Sequence, residues 1–357
     1  MIVIAAGGTG GHLFPAQVLA QQLEEHNPHL DIFFAGTHLE RSPFFQQKQY
    51  CYVEIPSSTP FRRGKIRSGW ILLKGTIKSI RLLMKKKPTL MIGFGSFHSF
   101  PLLLAAYLLR IPYVLFEANV YPGKVNRLFS SKARWTGILF PDAATHLKGS
   151  SRYVAKPSIQ TPTEDPWQYF GLHPGKPVLL IFGGSQGAKS LNAHWLSALE
   201  DEKSRSLFQV IHLVGKEEWV QEIRDKYLKW NIPACVKAFE NKMALAYQIA
   251  SVALCRSGAS TIAELIAFRL PALLIPFPAA SDDHQTKNAQ FLQEKVGGAV
   301  YLSEKDIKNK ELIAMLMQVQ QHAISLQENL RRYDQHLEKT ALWEQIIATL
   351  SELEGSG

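Results

Sequence analysis

Two glycine-rich turns stand where the chain passes from an apolar run into a helix-like segment. They are Gly7-Gly8-Thr9-Gly10-Gly11-His12 and Gly183-Gly184-Ser185-Gln186-Gly187-Ala188. Glycine permits a tight turn and the close approach of an anion, and the helix that follows offers free N–H groups with partial positive charge. Neither turn has the G-x-G-x-x-G spacing of dinucleotide-binding proteins, and no G-x-x-x-x-G-K-[ST] sequence occurs. The turns therefore predict two pyrophosphate-sized sites, with plain strand-to-helix turns as the alternative.

His12 lies where the first turn enters its helix. A helix N-terminus favours a neutral imidazole that can accept a proton, which suits a general base near neutral pH. A histidine at such a place can equally contact a phosphate or a water without reacting. Position alone therefore makes His12 a candidate base and no more.

A third candidate site follows another apolar run, over Cys255 to Glu264. Thr261 and Glu264 have capping-box spacing, which would assign the carboxylate to a backbone N–H. Alternatively, Glu264 accepts hydrogen bonds from a sugar diol while the helix N-terminus binds phosphate. Further along, Gln285 and Asn288 share one helix face, where neutral amides either bind sugar hydroxyls or are simply solvated. Spacing leaves both pairs of alternatives open.

Motifs for metal binding and for nucleophilic catalysis are missing from the sequence. It contains no HExxH, DxD or G-x-S-x-G, and its three cysteines form no CxxC pair. The adjacent Asp282, Asp283 and His284 cannot all face one ion on a helix. Unpaired cysteines also argue against a disulfide framework and favour a reducing compartment. We therefore expect no cofactor and no essential protein-bound metal.

The elements that position these residues follow a βα pattern in two series. Strand-like runs alternate with segments of helical period from Ile2 to Phe116, and the alternation restarts over Val178 to Pro276. Prolines, serines and threonines between Pro157 and Trp167 indicate a linker. A length of 357 residues with 46% hydrophobic residues exceeds one ordinary domain and excludes a disordered chain. The sequence thus predicts an α/β protein with two similar halves and mostly parallel sheets.

Positive charge is concentrated in one segment. Ten cations between Arg62 and Lys87, with no Asp or Glu among them, equal the whole net charge of +10. Apolar residues interleave with them at helix-like spacing, and such a segment can lie on an anionic membrane surface. The alternative is a surface helix whose apolar face packs on its own domain. Nucleic acid is disfavoured, because no nucleic-acid-binding motif accompanies the charge. The docking candidates are Trp70, Lys74, Lys78, Arg81, Lys85, Lys86 and Lys87.

No targeting segment is indicated. The chain starts with a strand-like run without a basic region before it, and no apolar run reaches the roughly 20 residues of a spanning helix.

Five motifs, in order, resemble those of the MurG family, the bacterial transferases that add N-acetylglucosamine to lipid I to make lipid II for peptidoglycan. They are Gly7 to Ala16, Gly93 to Phe97 with Ser99 and Pro101, Glu117 to Asn119 with Gly123 and Asn126, Gly183 to Ala188, and Arg256 to Glu264 followed by His284-Gln285 and Asn288-Ala289. The resemblance spans nearly the whole chain. It implies the GT-B architecture, in which two Rossmann-like doubly wound domains face each other across a cleft.

The resemblance also implies a division of roles. Residues 1–160 would bind the acceptor and the membrane, residues 161–335 the UDP-sugar, and residues 336–357 would form a helix that packs back on the first domain. UDP-N-acetylglucosamine would be bound by Ser185, Gln186, Gly187, Arg256, Ser257, Gly258, Glu264, Gln285 and Asn288, with Glu264 on the ribose. Lipid I and its diphosphate would be bound by Thr9, Gly10, Gly11, His12, Asn119 and Asn126, with His12 as the base for the muramoyl 4-hydroxyl.

Further implications concern mechanism and place. MurG-like enzymes invert the anomeric centre, which implies in-line attack through an oxocarbenium-like transition state, with a helix N-terminus rather than a metal stabilising the departing UDP. They are peripheral on the cytoplasmic face of the bacterial inner (plasma) membrane, and cell-wall synthesis or division proteins are candidate partners.

Three stretches depart from the family pattern. His-Glu-Gln-Asn is Phe116-Glu117-Ala118-Asn119 here, Gly-Gly-Tyr is Gly95-Ser96-Phe97, and Gly-Asn-Pro-Val-Arg is Ala155-Lys156-Pro157-Ser158-Ile159. The departures lie on the acceptor side, while the donor motifs are nearly intact. A related protein with another acceptor, an epimerase of the nucleotide sugar and a nucleotide-sugar-binding scaffold without transfer therefore stay open as alternatives.

Overall fold

A computed structural model describes residues 1–8, 10–59, 65–157, 162–184, 187–336 and 339–355 of the chain. Its strands are β1 (Ile2–Ala5), β2 (Ile32–Gly36), β3 (Cys51–Glu54), β4 (Leu90–Gly93), β5 (Tyr113–Glu117), β6 (Thr136–Ile138), β7 (Ser151–Ala155), β8 (Val178–Phe182), β9 (Gln209–Leu213), β10 (Ala234–Lys237), β11 (Val252–Cys255), β12 (Ala272–Leu274), β13 (Ala299–Tyr301) and β14 (Thr340–Ala341). Its α-helices are α1 (Gly10–His26), α2 (Lys65–Lys86), α3 (Ser96–Leu108), α4 (Lys124–Phe129), α5 (Pro166–Phe170), α6 (Lys189–Ala198), α7 (Val220–Lys229), α8 (Met243–Ile249), α9 (Ala259–Ala267), α10 (His284–Gln290), α11 (Asn309–Gln321), α12 (Ala323–Gln335) and α13 (Leu342–Glu354).

These elements form two compact units. The first unit comprises Met1–Ile159 and Glu338–Gly357, and the second comprises Gln160–Leu337. Each unit is built on one parallel sheet with helices between its strands, because the strands are apolar on both faces and need cover on both.

The sheet of the first unit has eight strands in the order β14-β7-β6-β5-β4-β1-β2-β3. Strand β1 lies between β4 and β2, with Ile2 opposite both Leu90 and Ile32. All residues of β1 and β4 are buried. The winding of the strands therefore reverses between β1 and β4, and the carboxyl ends of the strands at such a switch point are where ligands bind in open α/β sheets.

The end of the chain completes this first unit. Strand β14 pairs with β7, so that Ala341 lies opposite Ala155. In α13, Thr349 accepts a hydrogen bond of 2.9 Å from the buried indole Nε1 of Trp135. The ring of Trp343 stacks on that of His26 in α1 at 3.6 Å between centroids. The last helix is thus an integral layer of the first sheet.

The sheet of the second unit has six strands in the order β10-β9-β8-β11-β12-β13. Numbered within the unit, this is the doubly wound order 3-2-1-4-5-6, and its switch point lies between β8 and β11. The predicted fold class of two Rossmann-like α/β units is confirmed.

Candidate functional site

The second glycine turn lies at the switch point of the second unit. It follows the end of β8 at Phe182 and leads into α6, whose first residue is Lys189. At Gly187 the φ angle is +70°, and a Cβ there would lie 2.7 Å from the Cα of Gly215, so only glycine fits. The N-cap of α6 is Ala188, which has no side chain that could cap the helix, so the first N–H groups of α6 suit an anion or water. Ser185 and Gln186 lie outside the described residues.

Three predicted donor residues come together next to this turn. The hydroxyl of Ser257 donates to the carbonyl of Gln285 at 2.8 Å, and the amide Nδ2 of Asn288 donates to the carbonyl of Ser257 at 3.1 Å. The Phe277 N–H donates to Oε1 of Gln285 at 2.9 Å. Ser257 and Asn288 are fully buried, so the interpretation of Asn288 as part of a solvated helix face is wrong. Gln285 itself is half-buried.

Thr261 is not the N-cap of the helix that carries Glu264. Helix α9 begins at Ala259 with Gly258 as N-cap and without a side-chain cap, and Thr261 lies inside the first turn. The capping-box interpretation is therefore wrong. Instead, Oε2 of Glu264 accepts a hydrogen bond of 2.8 Å from the phenol of Tyr247. Burial, and then the charge of Glu264, raise the pKa of Tyr247 well above its ordinary value, so the phenol stays a donor.

Arg256 holds three loops together at the same end of the sheet. It is 4% exposed, and its Nη1 donates to the carbonyls of Ile275 and Pro276 at 3.0 and 3.1 Å. The guanidinium also meets both carboxylate oxygens of Glu304, at 2.9 and 3.2 Å, and the hydroxyl of Ser190 at 2.9 Å. Burial raises the pKa of Glu304, but its hydrogen bonds from Arg256 and Ser190 outweigh burial and leave it lowered. The arginine thus joins the segments that carry Ser190, Ile275, Pro276 and Glu304.

A series of hydrogen bonds in the core leads to the second glycine turn. The indole of Trp195 donates to the phenol oxygen of Tyr227 at 2.8 Å, which lies 2.9 Å from Nδ1 of His212. The Nε2 of His212 lies 3.1 Å from Oδ1 of Asn192, whose Nδ2 donates to the carbonyl of Val214 at 3.0 Å. Because that amide oxygen can only accept, Nε2 of His212 carries the hydrogen and Nδ1 accepts from the phenol.

This series of hydrogen bonds ends next to the second glycine turn. Val214 precedes Gly215, the residue against which Gly187 packs. Burial lowers the pKa of His212 to about 3, so the ring is neutral at physiological pH. Both of its ring nitrogens then have a hydrogen-bond partner in this series. Buried networks that are fully satisfied in this way hold one conformation.

In the first unit, His12 lies in the first turn of α1, after Gly10 and Gly11. Its Nδ1 lies 2.9 Å from the carbonyl oxygen of Phe94, just past the end of β4. A carbonyl only accepts, so Nδ1 carries the hydrogen and the lone pair of the neutral ring lies on Nε2. The half-buried ring therefore has the tautomer and orientation of a general base. Thr9 lies outside the described residues.

The first glycine turn packs against a second histidine. Gly8 has a φ angle of +84°, and a Cβ on it would lie 2.5 Å from Nε2 of His98. His98 is buried, and burial, followed by the charges of His12 and His38, lowers its pKa to about 3. A neutral imidazole thus fills the space behind the turn, and a side chain at Gly8 would displace it.

Glu117 organises the predicted acceptor residues. Its Oε1 accepts from the backbone N–H and the Nδ2 of Asn119 at 2.9 and 3.0 Å. Its Oε2 accepts from the N–H of Gly123 and the Nδ2 of Asn126, both at 2.9 Å. Asn126 is buried and also donates to the Phe116 carbonyl at 3.0 Å. Asn119, in contrast, is half-buried.

Both halves of the chain match domains of one family. The N-terminal domain of glycosyltransferase family 28 matches residues 2–138, and the C-terminal domain of that family matches residues 178–345. The chain belongs to glycosyltransferase family 28.

Relatives of this family 28 glycosyltransferase carry a specific name. A protein of Protochlamydia amoebophila (strain UWE25), "UDP-N-acetylglucosamine--N-acetylmuramyl-(pentapeptide) pyrophosphoryl-undecaprenol N-acetylglucosamine transferase", is 39% identical over 98% of this chain and 96% of its own length. A protein of the same name from Chlamydia trachomatis serovar L2 is 36% identical over 88% of this chain and 89% of its own. The crystal structure of Acinetobacter baumannii MurG has a TM-score of 0.76 at 26% identity and covers 98% of this chain and 99% of that one. The resemblance drawn from the five motifs is confirmed.

Two departures from the family pattern are accommodated in the first unit of this family 28 glycosyltransferase. Phe116 is buried, with its ring 5.2 Å from that of Phe94, so an apolar contact replaces the expected histidine. Ser96 has a φ angle of 65°, beside 77° at Gly95, and thus keeps the left-handed conformation that glycine favours. Ser158 and Ile159 lie outside the described residues.

Helix α2 exposes an apolar stripe bordered by cations. The stripe consists of Ile66, Trp70, Leu73, Ile77 and Met84, whose exposed fractions run from 42% to 83%. Their spacings of four, three, four and seven residues put them on one helix face. A different face, with Leu83, is buried. This stripe, called the α2 stripe below, is therefore not the face that packs on its own unit.

The predicted docking cations differ in their surroundings. Lys74, Lys78, Arg81 and Lys85 follow the α2 stripe along the helix. The ammonium of Lys86 instead lies over the ring of Phe33, 4.3 Å from its centroid, and Lys87 lies just past the end of the helix. Arg62 and Arg63 lie outside the described residues.

Among the residues that the structure describes, no helix has the length and apolar character to cross a membrane. Within the same ranges, no group of three or more His, Cys, Asp and Glu residues is arranged to hold a metal ion.

Proposed function

We propose that this family 28 glycosyltransferase transfers N-acetylglucosamine from UDP-N-acetylglucosamine to lipid I, giving lipid II for peptidoglycan. Lipid I is the N-acetylmuramyl-(pentapeptide) pyrophosphoryl-undecaprenol in the names of its relatives. The observation that carries the proposal is the 39% identity to one such relative along 98% of the chain, which includes both units. The protein is then a UDP-sugar hexosyltransferase of cell wall biogenesis.

His12 serves as the general base. Its Nδ1–H is engaged by the Phe94 carbonyl, so Nε2 takes the proton from the muramoyl 4-hydroxyl. The acceptor oxygen attacks C1 of N-acetylglucosamine as the bond from C1 to the diphosphate oxygen breaks, and the electron pair leaves with UDP. Attack from the side opposite UDP inverts the anomeric centre. A positioned base of this kind contributes about 10²–10⁴-fold to the rate.

The second unit holds the donor and stabilises the departing UDP. Helices α6 and α9 both start at the switch point, and their N-cap residues, Ala188 and Gly258, have no capping side chain, so their first N–H groups stabilise the charge that develops on the diphosphate. Ser185, Gln186, Gly187 and Gly258 belong to these two turns. Glu264 accepts hydrogen bonds from the ribose hydroxyls, and Gln285 binds the hydroxyls of N-acetylglucosamine. The other residues of the UDP-sugar site hold its loops in place: Arg256, Ser257 and Asn288.

The acceptor binds to the first unit. The acceptor diphosphate binds to Gly10 and Gly11 at the start of α1 and to Thr9, which precedes them in the sequence, and Asn119, held by Glu117, contacts the acceptor sugar. The buried Asn126 supports this loop. These assignments rest on the position of the motifs after β1, at the switch point, and after β5, which pairs with β4.

The α2 stripe with its bordering cations docks on the cytoplasmic face of the inner membrane. The exposure of Trp70, Leu73 and Ile77 supports this role, because soluble proteins bury most large apolar side chains. Each Lys or Arg near an anionic surface adds about 1 kcal/mol. Docking there keeps the first unit at the surface where lipid I resides.

Transfer is tested with labelled UDP-N-acetylglucosamine and a lipid I analogue, by following label into the lipid product with and without EDTA. We expect transfer that survives EDTA. His12→Ala is expected to lower kcat by at least about 100-fold, while His29→Ala, at an exposed histidine, leaves it unchanged. Donor binding without transfer would favour a scaffold or another acceptor, and an epimerised donor would favour an epimerase. An unchanged kcat in His12→Ala would remove His12 as the base.

Docking is tested by sedimentation with vesicles that contain anionic lipid. Replacing Lys74, Lys78 and Lys85 with Glu should weaken binding by well over tenfold. Lys86→Glu is the matched control, because that ammonium lies over Phe33, and it should retain most of the binding. Equal binding by the triple variant and the unsubstituted protein would remove the α2 stripe as the docking surface.

A further inference from the structure

We propose that Glu304 is a counter-charge of the UDP-sugar site, which neutralises the buried guanidinium of Arg256 and thereby weakens the binding of the product UDP more than that of the donor. The inference rests on the proposed function, which places the diphosphate at the starts of α6 and α9. It gives the Arg256–Glu304 pair a role in ligand affinity in addition to its role in joining loops.

The pair is buried and has the geometry of a strong ion pair. The side chains of Arg256 and Glu304 are 5% and 12% exposed. Nη1 and Nη2 of the guanidinium donate to the two carboxylate oxygens at 2.9 and 3.2 Å, an arrangement that is strong because both partners are charged. The positive and the negative charge of the pair therefore cancel at neutral pH.

The pair lies beside the starts of two helices. Arg256 directly follows β11 and stands two residues before Gly258, the N-cap of α9. Its Nη2 donates at 2.9 Å to the hydroxyl of Ser190, the second residue of α6, and this hydroxyl also hydrogen bonds Glu304. A phosphate bound to the N–H of Ser190 would lie roughly 10 Å from the pair at most, since two hydrogen bonds and one serine side chain separate them. This is about one Debye length at 0.1 M salt, so the charges of the pair act on a diphosphate there.

Loss of the carboxylate would leave one whole positive charge beside the diphosphate. The attraction grows with the negative charge of the ligand. UDP-N-acetylglucosamine carries about two negative charges on its diphosphate, whereas the terminal phosphate of released UDP ionises a second time near pH 6 and brings the total to about three. An uncompensated arginine would therefore retain the product more strongly than the donor, and Glu304 opposes this retention.

A purely structural role of Glu304 predicts the opposite sign. If the carboxylate only holds Arg256 and its loops in place, its loss loosens the site and weakens the binding of every nucleotide. Uridine, which carries no phosphate, would then lose affinity together with UDP. The direction of the change and its dependence on ligand charge therefore distinguish a counter-charge from a structural contact.

The test compares the dissociation constants of uridine, UDP-N-acetylglucosamine and UDP by calorimetry at about pH 7.5. Glu304→Gln removes the charge and keeps an oxygen that accepts a hydrogen bond from Arg256. At about 0.05 M salt we expect UDP to bind about three- to tenfold tighter, the donor to gain less, and uridine to change by less than about twofold. The gain for UDP should shrink at about 0.5 M salt.

Glu328→Gln is the matched control. It also removes one paired carboxylate from the second unit, since Glu328 lies 2.7 Å from Arg331 in α12. The charge of Glu328 interacts with Arg269, which follows the end of α9, and the nine residues of α9 span about 13.5 Å from its start. The dissociation constant of UDP should stay within about twofold in this variant.

A second variant removes both charges, because loss of one partner of a buried ion pair can destabilise the fold. Arg256→Gln combined with Glu304→Gln leaves the net charge of the site as it is in the unsubstituted protein. The ratio of the dissociation constants of UDP and uridine should then stay within about twofold of the unsubstituted value. This measurement tests the counter-charge even if Glu304→Gln alone does not fold.

The outcomes separate this inference from the proposed function. UDP binding that Glu304→Gln leaves unchanged or weakens overturns the inference, and so does an equal gain for uridine and UDP. A double variant that binds UDP much more weakly, relative to uridine, also overturns it, since Arg256 would then attract the diphosphate in spite of Glu304. Failure of the unsubstituted protein to bind UDP removes the diphosphate site and the inference with it. Absence of transfer with normal UDP binding contradicts the proposed function only.

Discussion

Acid should destabilise the second unit through one buried histidine. His212 has an ordinary pKa of 6.5 that burial lowers to about 3 in the folded protein. As the pH falls from about 7.5 to 5.5, the unfolded chain binds a proton at His212 and the folded chain does not. The free energy of unfolding therefore falls as pH falls, by about 1.4 kcal/mol over this interval from His212 alone. The contribution of His212 to the free energy of unfolding is complete above the pKa of the unfolded chain. It is lost as the pH falls toward the pKa of the folded protein.

His212→Gln removes the titration and keeps a donor for Asn192 and an acceptor for Tyr227. Urea unfolding at the two pH values, followed by circular dichroism, gives the pH-dependent loss for each protein, and we expect this loss to be smaller in His212→Gln by about 1.4 kcal/mol. Other titrating groups, including the buried His98, cancel in this comparison. His29→Gln, at an exposed site, should behave like the unsubstituted chain. An equal pH-dependent loss in His212→Gln and in the unsubstituted chain would refute the reasoning.

Two further predictions concern the first unit, and urea unfolding checks both. Gly8→Ala should lower the free energy of unfolding by about 1–3 kcal/mol, because Gly8 has a positive φ and a Cβ there would lie 2.5 Å from His98. Gly69→Ala, in the helix α2 with open space around it, should instead raise the free energy of unfolding by about 1 kcal/mol. Equal stabilities of the two variants would contradict the steric argument. Thr349→Val should lower the free energy of unfolding by about 1–3 kcal/mol, because it leaves the buried indole N–H of Trp135 without its acceptor. Thr349→Ser keeps the hydroxyl and should retain most of the stability. Equal losses in the two variants would show that the hydroxyl is irrelevant.

The glycine turns were predictable because each depends on local sequence. Glycines that follow a short apolar run and precede a helical period place a turn at the carboxyl end of a strand, and both turns lie there. Parallel strands put all such ends at one edge, so His12 could be placed near the site before its partner was known. The partner, the Phe94 carbonyl, is 82 residues away and carries no signature.

The partners of the candidate residues were not predictable, because they lie far away along the sequence. The contact of Glu264 with Tyr247, and that of Arg256 with Glu304, join residues 17 and 48 positions apart, and only the order of the strands brings them together. The capping box failed because the helix starts at Ala259, before Thr261. Helical periodicity alone also could not tell which face of α2 packs, since apolar residues occur on both the buried and the exposed face.

The return of β14 and α13 to the first sheet has a consequence for synthesis in the cell. A ribosome delivers β1 to β7 first, but the strand and helix that finish their sheet emerge only after the roughly 180 residues between Ile159 and Glu338, which takes about 10–35 seconds at typical elongation rates. During that interval the edge of β7 and the indole of Trp135 lack their partners. The second unit can complete itself earlier, so the half of the protein that is begun first is finished last, and nascent chains are most prone to aggregate through its unfinished edge.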